Sequence, residues 1–164
     1  MDSRPLEWNT RRCVSGMRTH VPPSGPRGKF EAVDGMGDLD AIQAVVGPSV
    51  DCLWSSFPCQ AFSIAGKRLG AMDERNGWPW TVAALDRFRP RWFLGENVRG
   101  LIQHSTEGHP DPMACAGCYF EGVILPQLRE RFAHVGWWML NAAHYGVPQH
   151  RRRVILWAGP EPLK

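Results

Sequence analysis

Three short stretches carry side chains whose chemistry goes beyond what packing needs. Phe57-Pro58-Cys59-Gln60 places a cysteine directly after an apolar run, Val50 to Ser56. A thiol at the end of a strand faces the crevice of an open sheet, and nearby positive charge converts it into a thiolate nucleophile. Glu96-Asn97-Val98 closes a second apolar run that begins Trp92-Phe93-Leu94. Gln149-His150-Arg151-Arg152-Arg153 opens a third, Val154 to Ala158. Alternation along that strand points Arg151 and Arg153 to one face and Arg152 to the other. Thiol, carboxyl and guanidinium from three distant strand ends can then meet one small ligand. Singly, each has an ordinary reading: a cysteine is often a small hydrophobe, a glutamate after a strand is often solvated, and three arginines often form a basic patch.

A fourth group is His104, His109, Cys115 and Cys118. Cys-x2-Cys with two nearby histidines has ligand types and spacing compatible with structural zinc. Histidines in a loop rich in glycine and proline are commonly just solvated. The main expectation is therefore no metal, with these four residues as the zinc candidates.

The elements that must position these residues follow from the apolar pattern. Leu39 to Val46 reads as a helix with Asp38 as its N-cap, ended by Gly47-Pro48. Val50 to Ser56 reads as a buried strand, followed by a long loop from Phe57 to Gly77. Pro79 suits the first turn of a helix whose Val82, Leu85 and Phe88 share a face, and Pro90 stops it. Trp92 to Leu94 is a strand that ends at Glu96-Asn97. A polar loop from Arg99 to Cys118 leads into a helix over Phe120 to His134, with Pro126 as a kink. Trp137 to Asn141 and Val154 to Ala158 are two more strands, joined through Gly146-Val147-Pro148. This alternation predicts an α/β fold with a mostly parallel sheet and an antiparallel pair at one edge. Chemistry in such sheets lies beyond the carboxyl ends of the strands. The strand tryptophans 54, 92, 137, 138 and 157 are expected in core or edge packing, while Trp78 and Trp80 fit either packing or the site.

Composition narrows the classes that remain. The 164 residues are 43% hydrophobic and 21% charged, so a real core can form and disorder throughout is excluded. The net charge of +3 is uneven, because residues 1–30 carry six basic and two acidic side chains and the rest is nearly neutral. Residues 1–30 also hold four prolines and no sustained periodicity, which predicts an irregular basic arm ahead of a folded unit over 31–164. No apolar run approaches a membrane span, and the first residues lack the apolar centre of a secretory signal. Five scattered cysteines then fit reduced thiols in a cytoplasmic setting, with no membrane partner.

Phe57 to Ser63 (FPCQAFS) with AGKRLG after it, Asp73 to Trp78 (DERNGW), Glu96 to Val98 (ENV) and Tyr145 to Val154 (YGVPQHRRRV) together resemble the DNA cytosine-5 methyltransferases, with the blocks in that family's order. Gly37-Asp38-Leu39 is similar to the family's Gly-Asp-Ile block, so the likeness covers about residues 34–160. It implies a Rossmann-like fold, S-adenosyl-L-methionine as cofactor, DNA as partner, a flipped cytosine as substrate and a bacterial or phage restriction-modification setting. In that scheme Cys59 attacks carbon 6 of cytosine, Glu96 holds or protonates ring N3, and Arg151 positions the base and stabilises charge. Gln149 and Arg153 shape the same side of the pocket, Asn97 orders the loop around Glu96, and Gln60 and Ser63 approach the DNA. Asp38 and Pro58 fall on the cofactor side.

The chain departs from that pattern in three places. The family's Phe-x-Gly-x-Gly block, the acid that ends its second strand, and its target-recognition region with the last two blocks have no counterpart. The resemblance thus implies part of a catalytic domain, with an incomplete cofactor site and no methyl transfer by the chain alone. The alternatives are an inactive remnant or split-enzyme subunit that binds DNA or a complementing chain, and a small zinc-stabilised module.

Overall fold

The computed structural model describes residues 13–15, 30–32, 38–58, 76–104 and 115–163. Its strands are β1 (Cys13–Ser15), β2 (Phe30–Ala32), β3 (Cys52–Ser55), β4 (Trp92–Val98), β5 (His134–Asn141) and β6 (Arg152–Gly159). They form one sheet in the order β2-β1-β3-β4-β6-β5. β2, β1, β3 and β4 pair in parallel, whereas β6 runs antiparallel to both β4 and β5. The antiparallel pairing lies at the expected edge, with β6 as the reversed strand between β4 and β5. The α/β class read from the sequence is the fold observed. Two short strands exceed that reading: β1 lies inside the segment expected to be irregular, and β2 begins at its last residue. Three residues are too few to show a period-2 pattern.

Helix α1 (Leu39–Val46) starts where Asp38 caps it, the carboxylate accepting from the Asp40 amide at 2.8 Å. Helix α2 (Trp78–Phe88) takes Pro79 in its first turn, where a missing N–H costs nothing, and ends with Arg89 in the left-handed region just before Pro90. A third helical segment starts at Ala116, earlier than expected, and runs as α3 (Ala116–Tyr119), a π-helical stretch (Phe120–Ile124) and α4 (Leu125–Arg129). Pro126 cannot donate into the helix. The widened stretch before it, where the Leu125 amide reaches the Phe120 carbonyl, accommodates the ring without breaking the rod.

Alternation along the strands separates two faces. Leu53, Phe93, Val154, Leu156 and Ala158 point into the helical layer and pack with Ile42, Val46, Trp78, Leu85, Phe88, Ile124 and Leu128. Trp54, Leu94, Glu96 and Ile155 occupy the opposite, half-buried face. Trp78 belongs to the core: its ring meets Phe57 and Phe93 edge-on, and its indole N–H donates to Gln127 at 2.7 Å. Trp157 is buried, but Trp137 and Trp138 on the edge strand remain about 40% exposed, more open than strand packing predicts. Trp137 lies against Phe120 and Trp138 against Trp157, so the edge strand has an aromatic side chain on each face.

Candidate active site

Parallel strands joined by helices bring their carboxyl ends to one edge of the sheet. Asp38 enters α1 at that edge after β2, Pro58 follows β3, Glu96-Asn97-Val98 ends β4, and the reversed β6 begins there with Arg152. Four of the sequence blocks therefore meet at one edge. Cys59, Gln60 and Ser63 follow Pro58 directly and lie outside the described residues, as does His109.

Glu96 and Asn97 lie within β4, which runs on to Val98, so the strand itself aims both side chains. Adjacent residues point to opposite faces. Asn97 turns inward, where it is 4% exposed; its amide nitrogen donates to the Phe57 carbonyl at 2.9 Å and its oxygen accepts from the Val98 amide. The Phe57 bond ties the end of β4 to the backbone two residues before Cys59. Glu96 turns to the other face. Its Oε2 accepts from the Ser56 hydroxyl at 2.9 Å, and its Oε1 lies 2.8 Å from Arg153 Nε. The Arg153 N–H is not aimed at that oxygen, so the contact is an ion pair rather than a directed hydrogen bond. Antiparallel register explains it: Val98 faces Arg153 and Glu96 faces Ile155, which makes Glu96 and Arg153 diagonal neighbours on one face.

Arg151 and Gln149 are held differently. Both are exposed, in the turn ahead of β6. The Asn141 side chain organises this turn, accepting from the Ala143 and Arg151 amides and lying 3.3 Å from His150 Nδ1. The Ala142 amide also bonds back to the Arg151 carbonyl at 3.0 Å. Gly146 closes the preceding short helix (Ala142–Tyr145) at φ 83, a conformation that favours glycine. Asn141, only 9% exposed, is a positioning residue that the sequence reading missed. An asparagine ending a strand before a Gly-Val-Pro turn was the available signal.

Behind β3, Ser55 and Thr81 join hydroxyls at 3.0 Å. Asn76 accepts from the Trp78 amide and donates to the Tyr119 hydroxyl. Burial holds the Tyr119 phenol above its ordinary range, partly offset by the Asn76 bond. These contacts tie the start of α2 to β3 and α3. The backbone joins the same elements, with the Gly77 amide donating to the Pro58 carbonyl at 3.2 Å.

A second cluster lies past the end of β4. His104 Nδ1 is 3.9 Å from Cys115 Sγ and 3.6 Å from Cys118 Sγ. The Cys118 thiol is held above its usual range, first by its hydrogen bond with Cys115, then by burial and by the charges of Cys115 and Glu121.

The strand-end arrangement is that of a methyltransferase fold, and comparison with known proteins agrees. Residues 29–163 match the C-5 cytosine-specific DNA methylase family, and the chain belongs to that family. It is 41% identical over 121 residues to the type II methyltransferase M.NlaIV of Neisseria lactamica, covering 73% of this chain and 28% of that protein. It is 33% identical over 125 residues to the orphan methyltransferase M.Rho11sI of Bacillus phage rho11s, covering 73% of this chain and 22% of that one. The chain thus spans about a quarter of the length of the curated relatives it matches. The solved structure of a prophage-encoded E. coli protein assigned to the DNA modification methyltransferases superposes with a TM-score of 0.50 at 17% identity, over 79% of this chain and 34% of that one. That likeness concerns the fold. Among the described residues no helix is long and apolar enough to cross a membrane.

Proposed function

We propose that this chain carries the nucleophile and the base pocket of a DNA cytosine-5 methyltransferase. The observation that carries the reading is the Glu96–Arg153 ion pair at the end of β4, where Asn97 ties that strand to the segment that leads into Cys59. A base inside a duplex cannot reach a crevice at a sheet edge, so the target cytosine is flipped out of the stack. The Cys59 thiolate adds to carbon 6, forming an S–C6 bond and moving the C5–C6 electron pair onto carbon 5. Glu96 meets ring N3 and holds or protonates it, a proton taken up from water by the carboxylate being passed to N3 as negative charge develops on the ring and returned when the thiolate leaves. Arg151 and Gln149 approach the base from the β6 side, where the guanidinium stabilises the same charge. Arg153 holds the Glu96 carboxylate in place. Once carbon 5 has been methylated, loss of its proton and expulsion of the Cys59 thiolate restore the aromatic ring and the enzyme.

S-adenosyl-L-methionine supplies the methyl group when bound. Asp38 and Pro58 are the residues of this chain that would hold it. Asp38 is exposed at the start of α1 and uses one oxygen on the Asp40 amide, leaving a second acceptor for the donor-rich nucleoside. Gln60 and Ser63 follow the nucleophile and face the DNA in this reading.

The addition step can be tested without the methyl donor, because a carbanion-like carbon 5 exchanges its hydrogen with water. Tritium release from DNA labelled at cytosine carbon 5 is expected from the wild-type protein when the remaining segments of a relative are supplied in trans, because the chain spans about a quarter of those proteins. Cys59→Ser should abolish it, and Glu96→Gln should lower it by about 10²-fold or more, the usual contribution of a general acid–base group. Release that is unaffected by Cys59→Ser would remove the nucleophile from the scheme.

A further inference from the structure

We propose that His104, Cys115 and Cys118 form a zinc site, with water in the fourth position, that fastens the segment after β4 to the start of α3. Their donor atoms all lie within 4.8 Å of one another. Tetrahedral zinc has bonds of about 2.05 Å to nitrogen and about 2.3 Å to sulfur, which sets adjacent donors about 3.6 Å (N to S) and about 3.8 Å (S to S) apart. The two distances from His104 Nδ1, 3.6 Å to Cys118 Sγ and 3.9 Å to Cys115 Sγ, match the edges of such a tetrahedron. Two of the three edges thus fit one ion, and the third, between the two sulfur atoms, is within 4.8 Å.

Two further observations bear on the histidine. A Cβ on Gly117 would lie 2.8–2.9 Å from three ring atoms of His104, so the imidazole rests in a cradle that only glycine leaves open. The Gly117 amide donates to the Gln103 carbonyl at 3.0 Å, so backbone and ring are positioned together. The opposite ring nitrogen, Nε2, faces Glu121 Oε1 at 3.5 Å. A carboxylate behind the second nitrogen is the usual device that fixes the tautomer of a metal-bound histidine and raises its basicity. Glu121 acts here through His104, as a positioning residue.

The placement defines the role. Cys115 is buried at the start of α3, while His104 follows the short helix (Arg99–Ile102) that continues directly from Glu96-Asn97-Val98. The ion closes a loop between residues 104 and 115 and holds the outer end of the strand that carries Glu96. It lies outside the reaction proposed above, and its test does not depend on that reaction.

Protein produced without a histidine tag and without chelator should contain about one equivalent of zinc by elemental analysis. Cys118→Ser and His104→Ala should each lower the content at least about tenfold, because two protein donors hold zinc far more weakly than three. Cys52→Ser, on β3 away from the cluster, should leave it unchanged. Gly117→Ala should weaken zinc retention against a competing chelator while leaving every ligand in place. Should the ligand variants fail to fold, cobalt(II) added to the wild-type apoprotein gives an independent readout. The expected result is thiolate-to-cobalt charge transfer with the strong visible bands of tetrahedral cobalt. Less than about a tenth of an equivalent of zinc, together with cobalt spectra lacking thiolate charge transfer, would overturn the site. So would a disulfide between Cys115 and Cys118 in the protein as purified.

Discussion

Glu96 and Arg151 stand at the same edge of one sheet and are held by opposite means. Glu96 sits inside a seven-residue strand with a paired strand on either side, and both of its carboxylate oxygens are engaged, by Ser56 and by Arg153. Arg151 stands at the end of a turn with an exposed side chain, its backbone fixed by the side chain of Asn141. In the proposed scheme the carboxyl half of the pocket is thus built before any base arrives. In the same scheme the guanidinium half, exposed on its turn, closes on the base. Preorganisation suits the role proposed for Glu96 at ring N3, because no reorganisation is then needed as charge develops.

That contrast can be broken at several points. The largest effect is expected at Asn97. Asn97→Ala leaves the Phe57 carbonyl without its buried donor and should destabilise the protein by about 2 kcal/mol, read from denaturant unfolding. An effect below about 0.5 kcal/mol would mean that strand pairing alone positions Glu96, without the tie to the Phe57 segment.

Asn141→Ala should cost less, about 1 kcal/mol, because the turn it braces is exposed and water can replace its bonds. Its signature is local: hydrogen exchange at the Arg151 and Ala143 amides should accelerate while the amides of β4 keep their protection. Loosening of β4 to the same extent would show that the two halves are one cooperative unit and remove the contrast.

The smallest effect belongs to the helical layer behind the site. Arg131 forks onto Asp86, Nε to Oδ1 at 2.7 Å and Nη2 to Oδ2 at 2.9 Å, joining α2 to the end of α4. This bond keeps the Asp86 carboxyl below its ordinary range, opposed by burial and aided by the charges of Arg131 and Arg89. A lowered folded-state pKa gives stability that is present above the unfolded value and is lost as pH falls through the folded one. Asp86→Asn should therefore cost less than about 1 kcal/mol near neutral pH, as exposed pairs do, and the difference should vanish in acid. A difference that persists below pH ~2 would assign the effect to packing instead.

Much of this was legible in the sequence, for reasons that differ by element. Leu39–Val46 carried its own cap and its own stop, so the helix is found at the residues expected. The strand around Glu96 was legible in its apolar start but not in its length, because Gly95-Glu96-Asn97 breaks the apolar run while the pairing with β6 carries it on to Val98. The start of the third helix was obscured for a related reason: Ala116 and Gly117 are poor markers of periodicity, and their burial comes from packing against the loop after β4. Glu96 and Arg153 were named as separate strand-end residues, yet their ion pair depends on a register between strands more than fifty residues apart. Spacing along the chain cannot express that. Asn141 and Glu121 went unnamed because each acts through a neighbour that only the fold supplies.

The central claim is that Cys59 forms a covalent bond to cytosine in a pocket shared with Glu96. It is tested most directly by trapping on duplex DNA containing 5-fluorocytosine, with S-adenosyl-L-methionine present. The remaining segments of a relative should be supplied in trans, because the chain spans about a quarter of those proteins. Fluorine at carbon 5 blocks the final elimination, so a completed addition leaves the protein attached to the base. The expected result is a denaturation-resistant adduct that peptide mass spectrometry places on Cys59 and that Cys59→Ser abolishes. No adduct with every segment supplied, or an adduct on another residue, would contradict the account.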